Sequence, residues 1–512
     1  MQPITPFSIG APGFFGLNLQ DSYVDMAPGF ALQAQNCVID KYGRIAARKG
    51  WARAHTSNSD LSTSNISCIG ELVQNDGTIT IVAAGGGFLF THSGTTLTTL
   101  TYGGGGAAPT ISANNWQFVQ ISGVGIFFQR GNDPLIYDPV VSTTTFRRLS
   151  EKTGYTGTVQ LSNCAISAYG RIWNADTATD KNTVQWSDVL TSHLLTGGTS
   201  GTLNLIGVWP KGGDEIVALA AHNNYLYIFG TRQILIYTGA STPSTMSLYD
   251  TVSSIGCIAR DSVQNTGTDV IFLSDTGVRS LQRTIQEKSQ PLRDLSKNIR
   301  NEVKDRMNSE TAANIKSVYH PVEAFYLITM PTALQTYCFD TRSPLEDGAA
   351  RVTTWYGTTS TAFLSTKGRK LYMGKAGYIG EYTGYLDDAA TYRMTYYTPW
   401  LDFGNPIQMS IVKKILAWAI GSNGQAIVFK VGTDFDEVYT SYTATLASNA
   451  SVSEYNVGEY NIAEYTSGVS FSQISVQAGG VGRVLQFGFE ATINNGSLSM
   501  QKIDVLTKNG RL

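Results

Sequence analysis

Short apolar segments that alternate with turn-forming residues run along most of this chain, and they restrict its fold more than any other feature. Residues 225–229 (YLYIF) and 234–237 (ILIY) flank the polar stretch 230–233 (GTRQ). Two apolar runs joined by a few polar residues that include a glycine are typical of a β-hairpin. Comparable pairs lie at 270–281 and 371–382. We therefore predict a mainly β fold.

The composition agrees with this prediction. Only 15% of the residues are charged, and 52 of the 512 are glycine. Tight turns between strands use glycine heavily, whereas helical bundles carry many charged residues on their outer faces. Hydrophobic residues make up 42% of the chain, which is too large a share for a disordered protein.

The spacing of the hairpins indicates an architecture. They recur from residue 66 to residue 385 at irregular intervals of roughly 40–60 residues, and a four-stranded propeller blade needs about 40–50 residues. We predict that each hairpin forms the inner half of a blade and that residues 61–395 form a β-propeller. A stack of β-sandwiches is the alternative architecture.

One segment departs from the β pattern. Eleven of the 24 residues from 283 to 306 are charged, and Pro291 stands near the start of an apolar stripe. The stripe consists of residues at steps of three and four: Leu292, Leu295, Ile299, Val303 and Met307. This spacing predicts one amphipathic helix near 285–308. The helix lies either on the edge of a blade or against a neighbouring subunit.

Residues 396–512 are predicted to form a separate antiparallel β domain. Asn-Gly pairs at 423–424 and 495–496 each lie between two apolar segments, which is a strong hairpin signal. Between these two hairpins, Glu-Tyr dipeptides start at residues 454, 459 and 464. Side chains on a strand alternate with a period of two, so an interval of five cannot keep the tyrosines on one face. A looped segment is expected there.

The first 60 residues have little periodicity and many glycines and prolines, so we predict an extended N-terminal arm with one hairpin near residues 40–43. Four phenylalanines stand out in this arm: Phe7, Phe14, Phe15 and Phe30. They either anchor the arm on another subunit or cover the chain's own propeller.

Charge and cysteine content exclude several classes of function. The net charge of -2 gives no sign of a sequence-reading nucleic-acid binder, which would carry a basic patch. Weak charge suits DNA that passes by without being held. The five cysteines are far apart, so they are expected to be small buried residues in a reducing compartment. No signal-peptide pattern and no apolar run of about 20 residues is present, which favours assembly in a cytoplasm.

Candidate catalytic groups are few. Asp387 and Asp388 are adjacent, and neighbours on a strand point to opposite faces, which suits paired acid–base work poorly. Asp434, Asp436 and Glu437 are a second candidate group. Asp434 and Asp436 could share a strand face and bind a cation, but a solvated turn is expected. The histidines are isolated: His55, His92, His193, His222 and His320. We predict that the chain is not an enzyme and has no catalytic residue, no metal site and no cofactor.

Several stretches resemble the tail nozzle proteins of short-tailed bacteriophages, also called tail tubular or hub proteins. They are residues 1–51, 213–237, 254–281, 385–403 and 483–511, in the same order from end to end. The resemblance implies a structural virion protein with a β-propeller in each subunit. It forms the ring-shaped distal nozzle of a short tail, retains packaged DNA and conducts it at ejection.

The same resemblance implies the partners and the location. They are further copies in a ring, as a hexamer, together with the tail adaptor protein, tail fibres or spikes, and viral DNA in the channel. The protein is expected in the virion tail after assembly in the bacterial host cytoplasm. Two alternatives remain: a tail-associated glycan hydrolase or lyase, and a sugar-binding receptor module that uses Tyr455, Tyr460 and Tyr465.

Overall fold

Seven antiparallel sheets follow one another in the described part of the computed structural model, which comprises residues 4–111, 115–287, 294–403, 407–436, 438–446 and 469–510. Six of these sheets have four strands and the fifth has three; the outermost strands of the first two also pair in parallel, and the sixth continues into the C-terminal domain. Neighbouring sheets contact one another around a closed ring, the fourth and fifth through the 3-10 turn Arg260–Ser262, so we number them as blades 1 to 7. The fold is the predicted β-propeller.

Within each blade, neighbouring strands pair antiparallel. Blades 1 and 2 consist of Ile66–Val73, Ile79–Gly85, Phe88–Ser93 and Thr96–Tyr102, then Gln117–Ile121, Val124–Phe128, Leu135–Tyr137 and Thr145–Arg148. Blades 3 and 4 consist of Cys164–Ala168, Arg171–Ala175, Thr183–Trp186 and Gly201–Asn204, then Ile216–His222, Tyr225–Gly230, Gln233–Thr238 and Ser247–Ser253. Blades 5 and 6 consist of Gln264–Asn265, Val270–Ser274 and Gly277–Ser280, then Lys316–His320, Phe325–Met330, Gln335–Asp340 and Arg351–Tyr356. Blade 7 consists of Phe363–Ser365, Leu371–Lys375, Tyr378–Tyr382 and Trp51–Arg53.

The last blade is completed by a strand from the beginning of the chain. Trp51–Arg53 pairs antiparallel with Tyr378–Tyr382. Next to blade 7, Thr361 Oγ1 donates a hydrogen bond of 2.5 Å to the carbonyl oxygen of Ile66 in blade 1. Hydrogen bonds therefore close the ring, and part of the segment 1–60 contributes to the propeller.

Each neighbouring pair of blades shares a buried apolar cluster. In blade 4, Leu226 and Ile228 pack with residues of blade 3, whereas Tyr227 and Phe229 pack with residues of blade 5. Successive side chains on a strand point to opposite faces, so a strand covered on both faces is apolar at every position. This burial explains the uninterrupted apolar run at residues 225–229.

The sequence predicted the hairpins of the propeller but not their place in the blades. The hairpin at residues 225–237 forms the second and third strands of blade 4, and Ile216–His222 is the innermost strand. The hairpin at 371–382 has the same position in blade 7, after Phe363–Ser365. A local hairpin pattern indicates that two strands pair, but it does not specify where that pair stands within a blade.

Two α-helices and six short 3-10 helices complete the propeller region as far as the structure describes it: α1 (Leu281–Glu287), α2 (Arg300–Asn308), Leu149–Glu151, Pro243–Thr245, Arg260–Ser262, Lys297–Ile299, Ala312–Asn314 and Pro331–Ala333. Both α-helices contact Gly277–Ser280, the outermost strand of blade 5. Ile299, Val303 and Met307 of the predicted stripe are buried in the cluster shared with blade 6. The amphipathic helix is shorter than predicted, and residues 288–293 lie outside the described residues. Within the described residues, neither α-helix is long and apolar enough to cross a membrane.

The C-terminal domain is a sandwich of two sheets, and it includes strands from the beginning of the chain. The first sheet contains Ile4–Gly10, Cys37–Ile39, Ile45–Ala47, Ser410–Ser422, Val469–Gln477, Val481–Gly482 and Leu498–Asn509. The second contains Gln33–Gln35, Tyr392–Tyr397, Ala426–Thr433, Thr440–Thr445 and Leu485–Ile493. Ile415 and Val505 of the first sheet share a buried cluster with Phe429 and Phe489 of the second.

The two hairpins predicted at Asn-Gly pairs in this domain are wrong. Ser410–Ser422 pairs with Leu498–Asn509 in the first sheet, whereas Ala426–Thr433 pairs with Leu485–Ile493 in the second. Each Asn-Gly segment therefore carries the chain from one sheet to the other. Strands with one apolar face bury that face against the same core by crossing between the sheets, and this burial overrides the local preference for a hairpin.

Blade 6 and the sandwich share a continuous sheet. Thr354, in the outermost strand of blade 6, pairs in parallel with Gln35 of the second sandwich sheet. The short strands Gly16–Leu17 and Phe30–Ala31 pair with each other, and Gly16 also pairs with Val352 of blade 6. One buried cluster extends from blades 5 and 6 into the sandwich, so the two parts are packed against each other through their cores.

Candidate interaction surfaces

The adjacent acids Asp387 and Asp388 each form an ion pair with a different arginine. Arg48 donates to both oxygens of Asp387, at 2.8 and 2.6 Å, and its own side chain is almost fully buried. Arg53 donates to Asp388 at 2.8 Å from Nε and 2.7 Å from Nη2. The two carboxylates thus connect blade 7 to the segment that closes the ring, and each has its own arginine as counter-ion.

The second group of acids stabilises a turn. Asp434 Oδ1 accepts hydrogen bonds from the backbone nitrogens of Arg483 and Val484, at 2.7 and 3.1 Å. Asp436 Oδ1 accepts one from the nitrogen of Val438 at 3.0 Å. Glu437 lies outside the described residues. In the part of the chain that the structure describes, no three His, Cys, Asp or Glu side chains are grouped to hold a metal ion.

His55 and the five cysteines are buried structural residues. His55 Nε2 accepts a hydrogen bond of 3.0 Å from the nitrogen of Ile379, and burial lowers its pKa. The cysteines are all buried as free thiols: Cys37, Cys68, Cys164, Cys257 and Cys338. Burial raises the pKa of Cys68 to about 12 and that of Cys257 to about 11, so both are protonated at neutral pH. Their burial confirms the prediction from sequence.

The N-terminal phenylalanines pack on the chain's own C-terminal domain. The ring of Phe14 is fully buried, edge-on to Tyr396 at 5.7 Å. Phe7 lies 5.6 Å from Phe403, and Phe15 lies 5.3 Å from Phe30. These contacts are intramolecular: Phe7 and Phe14 pack on the sandwich, whereas the ring of Phe15 also lies 6.0 Å from the guanidinium of Arg351 in blade 6. Tyr455, Tyr460 and Tyr465, the candidate sugar-binding residues, lie outside the described residues.

A buried arginine crosses the axis of the propeller. Arg260 lies just before the innermost strand of blade 5, and its Nη1 donates to the carbonyl oxygens of Asn163 and Asn115 at 2.6 and 3.2 Å. Its Nη2 donates to the carbonyl oxygen of Trp116 at 3.3 Å. These acceptors immediately precede the innermost strands of blades 2 and 3. One side chain therefore joins three blades across the centre of the ring.

Asp261 completes this axial ion cluster. It accepts from Arg260 Nε at 2.7 Å and from Lys316 Nζ of blade 6 at 2.5 Å. Burial alone would raise the pKa of Asp261, but the two cations hold it well below its ordinary value. Cavities of about 210 and 270 Å³ both border on Arg260 and Asp261. The cluster bridges the channel of the propeller, and these two spaces lie beside it.

A groove of about 550 Å³ lies on the outer face of the second sandwich sheet. Its floor consists of side chains at alternate positions of three neighbouring strands: Gln33, Gln35, Arg393, Thr395, Tyr397, Gln486 and Glu490. The intervening residues, such as Met394 and Phe489, point into the core. The period of two along each strand therefore separates a polar outer face from an apolar inner face. We call this concavity the sheet groove.

The charged groups in the floor of the sheet groove are paired. Tyr397 Oη donates to Glu490 Oε1 at 2.6 Å, and Arg393 pairs with the same carboxylate. Although burial alone would raise it, these hydrogen bonds lower the pKa of Glu490. Tyr439 Oη donates to Gln486 Oε1 at 2.5 Å. The floor is thus an internally bonded network.

The rim of the sheet groove is aromatic and exposed. Tyr23 and Trp400 line the groove, and Tyr23 is 55% exposed. Phe435, which is also 55% exposed, lies beside Trp400 at the rim. The ring of Phe435 lies 4.9 Å from that of Trp400. The backbone nitrogen of Trp400 donates to the carbonyl oxygen of Tyr23 at 3.0 Å. Tyrosine, tryptophan and arginine are the residue types that contribute most at protein interfaces.

A second exposed apolar surface lies on blades 3 and 4. Val189 and Leu190, in the loop before the outermost strand of blade 3, are 47% and 66% exposed. Tyr249 is 62% exposed, and its ring lies 4.9 Å from that of Tyr225. Tyr169 Oη donates to the carbonyl oxygen of Tyr225 at 2.8 Å and connects the two blades. We call this surface the blade 3–4 patch.

The backbone holds Leu190 in an uncommon conformation. Its φ is 57°, in the left-handed region that few residues other than glycine, asparagine and aspartate adopt. The nitrogen of Leu190 donates to the carbonyl oxygen of Gly170 at 2.6 Å, and its oxygen accepts from Ser122 Oγ at 2.9 Å. Two hairpin turns thus fix an exposed leucine in place. Neither surface was predicted from the sequence, since each depends on side chains from distant segments.

No protein-family model matches the chain, and no curated protein matches it. Among solved structures, the WD40 domain of Neurospora crassa Pan2 matches with a TM-score of 0.40 and 12% identity, over 65% of this chain and 95% of that one. The WD40 β-propeller domain of Doa1 matches with a TM-score of 0.37 and 8% identity, over 65% and 96% of the two chains.

A third similarity covers more of the chain. The extracellular domain of a B. thetaiotaomicron protein described as a one-component system matches with a TM-score of 0.41 and 10% identity, over 83% of this chain and 59% of that one. All three similarities are too low to support an argument about function. The propeller fold is established by the seven blades and their closed ring.

Proposed function

We propose that this chain is a structural subunit of the ring-shaped nozzle at the distal end of a short phage tail, where it retains packaged DNA and conducts it at ejection. The observation that carries the proposal is the presence of two unlike exposed surfaces, the sheet groove and the blade 3–4 patch. A ring with cyclic symmetry needs two different complementary faces on each subunit. The assignment to a phage tail and to DNA comes from the sequence stretches that resemble nozzle proteins in the same order.

The packing of the subunit supports a mechanical role. The sheet that runs from blade 6 into the sandwich, and the apolar cluster common to both, connect the two parts by hydrogen bonds and by close packing. Close-packed interiors have low compressibility and transmit strain. A subunit built in this way suits a ring that must withstand the pressure of packaged DNA.

The axial ion cluster supports a particular position for the DNA. Arg260 and Asp261 bridge the centre of the propeller, and the cavities beside them are small. A conduit for DNA would therefore lie between copies of the chain, on the axis of the ring, and not through the propeller. The modest net charge suits such a wall, because many phosphate contacts would hold the polymer.

Electron microscopy tests this proposal. Purified protein, alone and mixed with the tail adaptor ring, is expected to form sixfold rings with a central channel. Light scattering after size exclusion, over a range of protein concentrations, gives the mass of the assembly. A chain that stays monomeric at high concentration and also fails to assemble on the adaptor would contradict the proposal.

A second candidate function, a sugar-binding receptor module, draws on the sheet groove. The exposed ring of Tyr23 beside the amides of Gln33 and Gln35 is chemistry that can recognise sugars. A glycan array separates this function from the first: specific binding that is lost on Tyr23→Ala, in a protein that forms no rings, would favour it. The enzyme alternative has two candidate acid groups. Asp387 and Asp388 form ion pairs with Arg48 and Arg53, and Asp434 and Asp436 accept hydrogen bonds from backbone nitrogens, so neither arrangement supports it.

A further inference from the structure

We propose that the sheet groove of one copy receives the blade 3–4 patch of the next copy, with Val189 and Leu190 against the aromatic rim. The inference rests on the proposed function, which requires a ring but does not say which surfaces meet. It concerns only residues that the structure describes, and the partner is a second copy of this chain.

The order of the blades places the two surfaces far apart. The sheet groove belongs to the sheet that continues blade 6. Blade 3 is three places before blade 6 in the ring, and it is four places beyond blade 6 when counted through blades 7, 1 and 2. The patch therefore lies on the far side of the propeller from the groove. A contact between them joins copies head to tail, and repetition of such a contact gives a ring when the rotation between copies closes.

The chemistry of the groove suits an apolar partner. Glu490 already accepts from Tyr397 and pairs with Arg393, so covering the floor would not leave its carboxylate unpaired. An unpaired buried charge is what makes such a surface costly to cover. The rim supplies Tyr23 and Phe435, each more than half exposed, and burial of such rings is a large favourable term in association.

The patch is preorganised for such a contact. Leu190 is fixed by hydrogen bonds to Gly170 and Ser122 before any partner binds. The backbone at Leu190 therefore loses little freedom on association, and preorganisation of this kind lowers the entropic cost of binding. Maintaining a leucine at positive φ has an energetic cost in the monomer, and such strain is concentrated at functional positions.

Two substitutions remove one side of the contact each. Leu190→Asp alters the patch, and Phe435→Asp alters the groove rim. Both residues have positive φ, 57° and 65°, which aspartate tolerates well, and both are exposed, so each variant is expected to fold. Leu334→Asp is the matched control: Leu334 is 50% exposed, has a φ of 52°, and belongs to neither surface.

Light scattering after size exclusion and analytical ultracentrifugation test the contact. We expect Leu190→Asp and Phe435→Asp each to raise the dissociation constant between copies by about 30-fold or more, as loss of a central interface residue does. Leu334→Asp should assemble as the wild type does. Thermal unfolding of all three variants verifies that they are folded.

A mixing experiment distinguishes this contact from any symmetric one. The Phe435→Asp variant keeps an intact patch, and the Leu190→Asp variant keeps an intact groove. An equimolar mixture should therefore form dimers with one good contact that cannot grow further, whereas each variant alone stays monomeric.

Each other outcome has a definite meaning. Rings of normal size from Leu190→Asp or Phe435→Asp alone would overturn the assigned contact and leave the ring function standing. So would a mixture that contains only monomers. A wild-type chain that stays monomeric, alone and with the adaptor ring, would overturn the contact and the proposed function together. Normal rings from Phe435→Asp with loss of glycan binding would identify the groove as a sugar site and contradict the contact.

Discussion

Asn36 connects blade 6 to the sandwich: its Oδ1 accepts a hydrogen bond of 3.0 Å from the nitrogen of Tyr356, and its Nδ2 donates 2.8 Å to the carbonyl oxygen of Arg393. The same Oδ1 accepts from Arg48 Nε at 3.0 Å. The backbone φ of Asn36 is 55°, a conformation that asparagine adopts more readily than most residues. One buried side chain thus bonds to three segments that are distant in the sequence.

We expect Asn36→Ala to lower the free energy of unfolding by about 3–5 kcal/mol, because three buried partners lose a hydrogen bond and alanine is strained at this φ. Asn36→Gly removes the same bonds, but glycine adopts this φ without strain. It should therefore lower the free energy of unfolding by roughly 1–2 kcal/mol less than Asn36→Ala does. Urea denaturation of the two variants measures both values. Equal losses would show that the conformation of residue 36 is not strained.

The adjacent acids of blade 7 should differ strongly in their effect on stability. Arg48, the partner of Asp387, is 1% exposed, whereas Arg53, the partner of Asp388, is 48% exposed. We expect Asp387→Asn to cost about 3 kcal/mol, because a buried guanidinium loses its counter-charge. Asp388→Asn should have a much smaller effect that also declines with added salt.

The same substitution at neighbouring positions makes this a matched comparison. Asparagine suits residue 388, whose φ is 48°, so backbone strain does not confuse the result. Urea denaturation at low and high salt supplies the measurement. A loss at Asp388 as large as that at Asp387 would contradict the distinction between buried and exposed pairs.

Lys375 should make stability depend on pH above neutrality. Burial lowers its pKa to about 7, and Arg48 acts in the same direction, although Asp387 opposes both. Because the unfolded chain keeps its ordinary pKa near 10.5, it binds more protons than the folded chain between pH 7 and pH 10.5. Stability attributable to this residue therefore rises with pH in that window and is constant below it.

Comparison with Lys375→Met separates the contribution of Lys375 to this pH dependence from that of the tyrosines, which titrate in both proteins. We expect the unfolding free energy of the wild type to rise relative to the variant by about 1.4 kcal/mol per pH unit between pH 7.5 and pH 10. Lys367→Met, at an exposed lysine, is the control and should give no such slope. A flat difference for Lys375→Met would show that Lys375 stays charged in the folded protein.

The propeller was predictable because its middle strands are buried on both faces. Runs such as residues 225–229 are apolar at every position, and this pattern can be recognised without knowing which strands pair with which. The fourth strand of blade 7 was not predictable: Trp51–Arg53 is short, and its partner Tyr378–Tyr382 lies more than 300 residues away. Non-local pairing of short strands leaves no local signal.

The sandwich shows where a strong local signal fails. An Asn-Gly pair permits a tight turn, but it does not specify whether the flanking strands hydrogen-bond to each other. At residues 423–424 and 495–496, the apolar faces of both strands are covered by the same core, and each strand finds its hydrogen-bond partners elsewhere. The sheet groove follows from this arrangement, so it too was beyond prediction from the sequence.

The axial ion cluster leads to the last prediction. Arg260 is almost fully buried and donates to oxygens of blades 2 and 3 as well as to Asp261. We expect Arg260→Met to lower the free energy of unfolding by about 3–5 kcal/mol, since it leaves several carbonyl oxygens without a donor and removes one of the two cations beside Asp261. Arg232→Met, at an exposed position of blade 4, should change stability little.

The loss of stability at acidic pH should change as well. In the wild type the depressed pKa of Asp261 contributes stability that is present above its unfolded pKa, near 3.8, and is lost as the pH falls below it. Without Arg260 that pKa rises towards its ordinary value, so Arg260→Met should lose less additional stability on acidification than the wild type does. Urea denaturation at intervals from pH 6 to pH 2 measures this difference. Parallel curves for the two proteins would mean that Lys316 alone holds Asp261 ionised and that Arg260 acts only through its bonds to the backbone.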